Sequence, residues 1–252
     1  MNESEYWGNI VDQYQRETKI SCDDFHYGPL IDGDSVLKLL PDNLKDLNCL
    51  EIACGGAQNS IYLANRGARC TALDASRAQI SYAEKLAQKN SVDIDLKLMA
   101  MEEISLQFES FDLVHSAYGL NFASDLNNVI ASCGELLNDN GILLFSMPHP
   151  LFCGEFLELD DESGLFIKEY FAISPDVRFD EDGKETTLSY FYSLDKISTV
   201  LAENNLLIER ICEPEVCENP PYTSKLWEEY RQQMLRFPGT LIIKAVKISS
   251  LC

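Results

Sequence analysis

The chain is 252 residues long, which is enough to bury one generous core, and it carries a formal net charge of −21. Hydrophobic residues make up 46% of it, as in an ordinary globular protein, and no apolar run approaches the ~18 residues that a membrane span requires. Because phosphate backbones and anionic membrane surfaces repel acidic proteins, the charge disfavours nucleic-acid and membrane partners. The acidic segment Met1–Glu5 lacks the features of a secretory signal, so we expect a cytoplasmic protein.

The histidine and cysteine content argues against a metal centre. The chain has three histidines and nine cysteines, and it contains no C-x-x-C pair. Most of the cysteines lie in apolar runs, where a reduced thiol behaves as a small hydrophobic group. We therefore expect no metal.

The first two segments of the chain predict a helical cap and then a parallel sheet. Residues 1–47 contain an aromatic-rich helix and the loop His26–Pro29. Residues 48–150 alternate short apolar runs with longer amphipathic ones, which is typical of βαβ units. Ser76 and Asp125 are the expected N-caps of two of the crossover helices. The predicted strands are Cys49–Cys54, Arg69–Asp74, Asp95–Met99, Phe111–Ser116 and Gly141–Ser146.

The pattern changes after Pro150. Residues 151–192 are aromatic and acidic, with turn signals at Glu162–Gly164 and Glu181–Gly183, which indicates an inserted hairpin or lid. This lid is also a candidate contact for a homodimer.

Residues 193–252 predict a helix (193–204) and two strands (206–213 and 240–248). No helix long enough for a crossover separates the two strands, so we expect them to be antiparallel neighbours. The predicted fold is a single α/β domain, residues 1–252. It has a Rossmann-like doubly wound sheet, mostly parallel with an antiparallel last strand, an N-terminal helical cap and a lid inserted after strand five.

The stretch Glu51–Ala57 carries the strongest functional signal. An apolar strand ends there in small residues, which expose backbone N–H groups and a helix N-terminus to a nucleotide-like ligand. Asp74 follows Gly56 by the ~20 residues expected of a ribose-binding acid at the end of the next strand. The G-x-G-x-x-G spacing of nicotinamide-binding proteins is absent.

This stretch resembles the first motif of class I S-adenosylmethionine-dependent methyltransferases, an acid followed by three glycines at alternate positions. The resemblance runs from about residue 14 to the C-terminus. Two of the three glycines are Ala53 and Ala57 here, and Gly56 is an extra glycine. Since alanine tolerates positive φ poorly, we expect the turn to be shifted by one residue or anchored by Gly56.

The resemblance implies S-adenosylmethionine as the cofactor and S-adenosylhomocysteine as the product, with no metal. Glu51 would order the methionine amino group, and Asp74 would hold both ribose hydroxyls. Each also has a structural alternative: Glu51 as a buried pairing, and Asp74 as a helix N-cap. The implied cofactor-binding residues are Tyr14, Tyr27, Glu51, Ala53, Gly55, Asp74, Ala75, Met101, Glu102 and Ser116.

The same edge of the sheet supplies candidates for the methyl acceptor. His149, held between two prolines after strand five, is the candidate general base, while His115 is expected to be packed inside the sheet. The candidate acceptor-binding residues are His26, Tyr118, His149, Phe152 and Tyr170.

We expect methyl transfer to an oxygen or nitrogen of a small molecule. The alternatives are a cofactor-binding regulatory or scaffolding protein without turnover, and an RNA or protein methyltransferase.

Overall fold

The computed structural model describes residues 3–104, 110–153, 155–159, 162–171, 175–179, 183 and 185–249. The N-terminal segment contains two helices before the first strand, α1 (Glu3–Thr18) and α2 (Asp34–Leu37). Strands and helices then alternate as the periodicity predicts: β1 (Asn48–Ile52), α3 (Gln58–Ala64), β2 (Arg69–Asp74), α4 (Arg77–Lys89), β3 (Ile94–Leu98), β4 (Phe111–Ala117), α5 (Leu126–Leu136) and β5 (Leu137–Pro148).

The remaining elements form two hairpins and the C-terminal edge of the sheet. They are β6 (Glu155–Leu159), β7 (Glu162–Phe166), β8 (Asp176–Phe179), β9 (Glu185–Ser189), α6 (Leu194–Glu203), β10 (Leu206–Cys212), α7 (Lys225–Glu228), α8 (Arg231–Met234) and β11 (Thr240–Lys247). No helix in the described part of the chain has the length and apolarity needed to cross a membrane.

Seven strands pair in the order β10-β11-β5-β4-β1-β2-β3. All the pairings from β5 to β3 are parallel, and β11 is antiparallel to both of its neighbours. This confirms the predicted fold class. The strand order reverses between β4 and β1, and ligands of open α/β sheets bind outside the carboxyl ends of the strands at such a point.

Apolar side chains cover both faces of the sheet because the parallel strands are buried on each side. One cluster packs α5 and α6 against one face, and the other packs α3, α4 and the 25–44 segment against the opposite face. The predicted caps are confirmed: Ser76 accepts from the Gln79 N–H, and Asp125 accepts from the Asn128 N–H.

The inserted segment forms two hairpins, β6–β7 and β8–β9. The predicted turn at Glu162–Gly164 is wrong, because these residues begin strand β7 and pair with β6. The second predicted turn is Glu181–Gly183. Its Gly183 has a positive φ of 74°, and residues 181 and 182 lie outside the described residues. Strand β5 extends well beyond Gly141–Ser146 in both directions, because its pairing with β4 already begins opposite Phe111.

Candidate functional site

A cavity of about 1430 Å³ opens at the carboxyl ends of β1, β2 and β4. Its walls come from the β1–α3 loop (residues 53–57), the end of β2, the segment after β4, helix α1, the hairpins and the connection before β11. The volume exceeds the ~300–1,000 Å³ of an ordinary small-molecule pocket, so it has room for a cofactor together with a second small molecule.

The β1–α3 loop keeps the backbone path of a glycine-rich turn although two of its residues are alanines. Ala53, Gly55 and Ala57 have φ values of 53°, 52° and 55°, in the left-handed region. The expectation that the turn is shifted or anchored by Gly56 is therefore wrong, since Gly56 is not among the residues with positive φ. Gly56 is needed for space instead, because a Cβ there would lie 2.8 Å from the Gln58 amide.

Asp74 braces this loop and also lines the cavity. Its Oδ2 accepts a hydrogen bond from the Gly55 N–H at 2.9 Å, and its Oδ1 accepts one from the Ser76 N–H at 2.8 Å. Burial raises the pKa of the carboxyl, partly offset by these two bonds. Each carboxylate oxygen has a second lone pair, so both oxygens can still accept from a ligand hydroxyl.

Glu51 lies behind the loop, 3% exposed, and lines the cavity. Its Oε2 accepts from the Ser60 N–H at 3.0 Å and from the Ser60 hydroxyl at 2.6 Å. Both bonds end on Oε2, so among the described residues Oε1 keeps its lone pairs for a ligand. Burial raises the pKa of this carboxyl to about 7, with the bonds from Ser60 opposing the rise and the nearby Asp74 adding to it.

Two amide oxygens on the cavity wall are buried without a hydrogen-bond donor among the described residues. They are Gln79 Oε1 and Asn121 Oδ1. Together with Glu51 and Asp74 they form a set of hydrogen-bond acceptors. Among the described residues, no Lys, Arg or His forms an ion pair with either carboxyl. A ligand rich in donors and carrying positive charge fits this set, as S-adenosylmethionine does with its ammonium, sulfonium and ribose hydroxyls.

Helix α1 contributes an aromatic wall above these acceptors. Trp7 and Tyr14 line the cavity with their rings edge to face, 5.4 Å apart between centroids. The Tyr14 and Tyr222 hydroxyls are 2.6 Å apart, which ties α1 to the connection before β11. Gln15 of the same helix accepts from the Gln58 amide at 2.7 Å, so α1 also docks on the β1–α3 loop.

The opposite end of the cavity is lined by aromatic side chains. The Phe152 ring stacks on Trp227 with centroids 4.9 Å apart, and Tyr118 meets Trp227 edge to face at 5.5 Å. The Tyr118 hydroxyl lies 2.6 Å from Thr240 Oγ1. Lys225 and Glu229, on either side of Trp227 in the chain, also line the cavity, so aromatic rings and charged groups occur together at this end. The rings suit a methyl acceptor with an apolar or aromatic body.

Most of the sequence-predicted residues meet at this cavity. Those that line it are Tyr14, His26, Glu51, Ala53, Gly55, Asp74, Ala75, Met101, Glu102, Tyr118 and Phe152.

Five predicted residues do not line the cavity. The Tyr27 hydroxyl donates to Asp34 Oδ1 at 2.6 Å inside the core, and the Ser116 hydroxyl donates to the Ile52 carbonyl and links β4 to β1. Tyr170 accepts from the Leu194 N–H at 3.4 Å. Phe171, expected in the lid lining, is 91% exposed.

The fifth of these corrections concerns His149, the expected general base. Its Nε2 lies 2.7 Å from Glu213 Oε1, and its Nδ1 accepts from the Leu151 N–H at 3.1 Å. The side chain is only 2% exposed, and His149 is not among the cavity-lining residues. Because both ring nitrogens are hydrogen-bonded, His149 joins the end of β5 to the segment after β10. Its geometry gives it a structural role.

The cavity also contains residues that the sequence reasoning did not select, chiefly Gln79, Tyr222 and Trp227. Tyr222 and Trp227 belong to the connection of more than 25 residues between β10 and β11. A connection of this length, which contains α7 and α8, is far longer than two antiparallel neighbours need, so that length was the available signal. Gln79 carried no signal, since it lies in an ordinary first helical turn.

Comparison with known proteins supports what this geometry indicates. A family model described as a methyltransferase domain matches residues 50–145. The chain is 26% identical over 257 residues to an uncharacterized protein of Haemophilus influenzae, with 95% of each chain covered. It is 30% identical over 103 residues to the ubiquinone biosynthesis O-methyltransferase of Methylocella silvestris, which spans 41% of this chain and 40% of that enzyme.

Among solved structures, the S-adenosylmethionine-dependent methyltransferase from Mesorhizobium loti superposes with a TM-score of 0.68 at 17% identity. The superposition covers 84% of this chain and 95% of that one, and shows the shared fold. The family match spans β1 to the middle of β5, the part of the sheet that builds the acceptor set around Glu51 and Asp74. Residues 50–145 therefore match a methyltransferase domain, and the chain shares the fold of S-adenosylmethionine-dependent methyltransferases.

Proposed function

We propose that this enzyme binds S-adenosylmethionine at the carboxyl ends of β1 and β2 and methylates an oxygen or nitrogen of a small molecule. The observation that carries the proposal is that one cavity joins an end rich in hydrogen-bond-accepting oxygens, including those of Glu51 and Asp74, to an end lined by aromatic rings. The cofactor supplies a methyl group on a sulfonium sulfur, which is a good leaving group. The protein contributes alignment of the acceptor and exclusion of water.

Each end of the cavity has a separate task in this proposal. Asp74 accepts from the ribose hydroxyls, Glu51 Oε1 accepts from the ammonium group, and Met101 and Glu102 frame the adenine. Tyr14 faces the sulfonium with its ring, because an aromatic face stabilises a cation in a dry site. At the other end Tyr118, Phe152 and His26 hold the acceptor.

The proposal that the methyl acceptor is a small molecule is supported by the elements that surround the cavity. Helix α1 and strand β9 contact each other, and both supply lining residues. The net charge of −21 adds to the argument, since no excess of Lys and Arg is available to hold an RNA acceptor.

Thermal unfolding with and without the cofactor is the first test. A ligand at 100 times its Kd stabilises the folded state by about 2.7 kcal/mol, which raises the Tm of a protein of this size by roughly 5–10 °C. The Asp74→Ala variant should bind the cofactor about 1.5–3 kcal/mol more weakly, because charge-assisted hydrogen bonds have this magnitude. Calorimetric titration measures the loss.

A matched control separates this loss from general destabilisation. Ser193 caps α6, is not among the cavity-lining residues and accepts from the Lys196 N–H at 3.2 Å. Ser193→Ala should lower stability by about 1 kcal/mol through the lost cap and leave cofactor affinity unchanged. Equal affinities for Asp74→Ala and the wild type would contradict the assignment.

Turnover distinguishes the enzyme from the alternatives. Purified protein incubated with S-adenosylmethionine and pooled small molecules should form S-adenosylhomocysteine, and the Asp74→Ala variant should form much less. Binding without product from any pool would support a regulatory or scaffolding protein. Product formed only with RNA or protein added would support a macromolecular acceptor.

A further inference from the structure

Two buried histidines lie beside the cavity without hydrogen-bond partners for their rings among the described residues. His26 Nδ1 and both ring nitrogens of His115 are buried and unpartnered. Leaving a buried polar atom without a partner costs about 1–3 kcal/mol, and native structures contain few such atoms. Three of them at neighbouring residues therefore call for an explanation.

The two rings occupy one region on the α3 side of the sheet. His115 is paired in register with Glu51, and its ring lies 5.2 Å from that of Phe25, the residue before His26. Asn59 of α3 fixes His26 by bonding both its backbone N–H and its carbonyl, each at 2.9 Å. A positive charge on His26 would lower the pKa of His115, which also indicates that the rings are close.

A hydroxyl on the same face adds a further unpartnered atom. Ser146 of β5 pairs in register with Ala117, two residues after His115 on β4. Since alternate residues of a strand share a face, the Ser146 and His115 side chains point the same way. Ser146 Oγ is buried and unpartnered among the described residues. A buried water typically bonds about three polar groups, and the two histidine rings offer donors and acceptors that suit one.

We propose that a single buried water bridges His26 Nδ1 and the His115 ring, and that His115 thereby acts as a positioning residue that fixes the tautomer of His26. In this arrangement His26 Nδ1 carries the hydrogen and donates it to the water. The other ring nitrogen, Nε2, then has a lone pair, and His26 is one of the cavity-lining residues.

This tautomer matches the requirement of the reaction, and this step rests on the proposed function. A hydroxyl or N–H group that is to be methylated carries a hydrogen beforehand. A neutral histidine nitrogen with a free lone pair can accept a hydrogen bond from that group and so orient it. Burial lowers the pKa of both His26 and His115 to about 3, so both rings are neutral near pH 7. His26 lies edge-on to Tyr222, with centroids 5.4 Å apart, which fixes the plane in which its lone pair points.

Long-range ¹H–¹⁵N NMR of histidine-labelled protein tests the inference, because it reports which ring nitrogen carries the hydrogen. The chain has three histidines, and His149 is an internal control. Its Nδ1 accepts from the Leu151 N–H, so it should show the Nε2–H tautomer, whereas His26 should show Nδ1–H. Single His→Gln variants assign the signals.

The His115→Phe variant tests the role of the bridge. Phenylalanine has a similar ring without nitrogen atoms, so His26 should change from one tautomer to a mixture while the His149 signal stays unchanged. An Nε2–H tautomer at His26 in the wild type, or a tautomer unaffected by His115→Phe, would overturn the proposal.

A crystal structure of the wild type provides a second measurement that does not depend on the variant folding. It should show a water within hydrogen-bond distance of both rings, and density for a direct bond between the rings instead would overturn the bridge. Neither measurement uses cofactor or turnover, so a failure here is distinct from a failure of the proposed methyl transfer.

Discussion

At the scale of single residues, the cavity holds two buried carboxyls, Glu51 and Asp74, whose pKa values are raised by burial. Glu51 is buried, its hydrogen bonds to described residues both join Oε2 to Ser60, and burial raises its pKa to about 7. A cation beside it favours the ionised form. If the ammonium group of the cofactor binds beside Glu51 as proposed, cofactor binding and loss of a proton from Glu51 are linked.

The linkage predicts how cofactor affinity depends on pH. Below pH 7 the carboxyl is protonated and must lose its proton for the cation to bind, so affinity should rise with pH up to about 7, by at most tenfold per unit, and then level off. Calorimetry in buffers of different ionisation enthalpy should detect proton release at pH 6. In Glu51→Gln both the slope and the released proton should disappear, and a slope that persists in this variant would assign the effect to another group.

The alanines of the β1–α3 loop give a second prediction at this scale. Ala53 adopts a φ of 53°, which costs an L-residue about 1–2 kcal/mol relative to glycine. Ala53→Gly should therefore raise stability by up to about 1 kcal/mol, after subtracting the larger entropy of glycine in the unfolded chain. Urea unfolding measures the change. In the matched control, Ala72→Gly in strand β2, stability should fall, and a fall at both sites would contradict the strain at Ala53.

At the scale of elements, the sequence predicts the sheet well because periodicity and chain order carry that information. The apolar runs give β1 to β5, and the absence of a crossover helix before Thr240 gives the antiparallel β11. The cofactor end of the site follows from the sheet, since Glu51 and Asp74 lie at strand ends that the order brings together.

The acceptor end is less predictable because it is built by segments without periodicity. The direction of each side chain there is set by tertiary contacts: Tyr170 and Tyr27 bond to groups away from the cavity, while Trp227 reaches it from a long connection. The backbone conformation at Ala53 is a related case, because the packed loop imposes a positive φ that the alanine alone would avoid.

The contact between the end of β5 and the segment after β10 gives a prediction for His149. His149→Ala removes a hydrogen bond to a carboxylate and leaves cavity-lining residues in place, so stability should fall by about 1.5–3 kcal/mol with cofactor affinity unchanged. Urea unfolding and calorimetric titration measure the two quantities. Full stability combined with a large loss of turnover would restore His149 as the general base.

At the scale of the whole molecule, charge is the dominant feature. Forty-one acidic residues against 20 basic ones produce self-repulsion that opposes the compact state. Ion pairs among the described residues, such as Arg69–Asp46 and Lys97–Asp95, are exposed, and exposed ion pairs contribute little to the free energy of unfolding. Homodimer formation stays a prediction that light scattering at low and moderate salt can test.

The net charge predicts that salt stabilises this protein. Raising NaCl from about 0.01 M to 0.1 M shortens the screening distance from roughly 30 Å to 10 Å, which weakens repulsion among the excess carboxylates more than it weakens the few close ion pairs. We expect the Tm at pH 7 to rise by about 2–4 °C, equivalent to roughly 1 kcal/mol for a chain of this length. At a pH near the sequence pI of 4.4 the net charge vanishes, so the same salt step should have little effect on Tm. A Tm that falls with salt at pH 7 would mean that attractive pairs outweigh the acid excess, and would remove the charge argument against polyanionic partners.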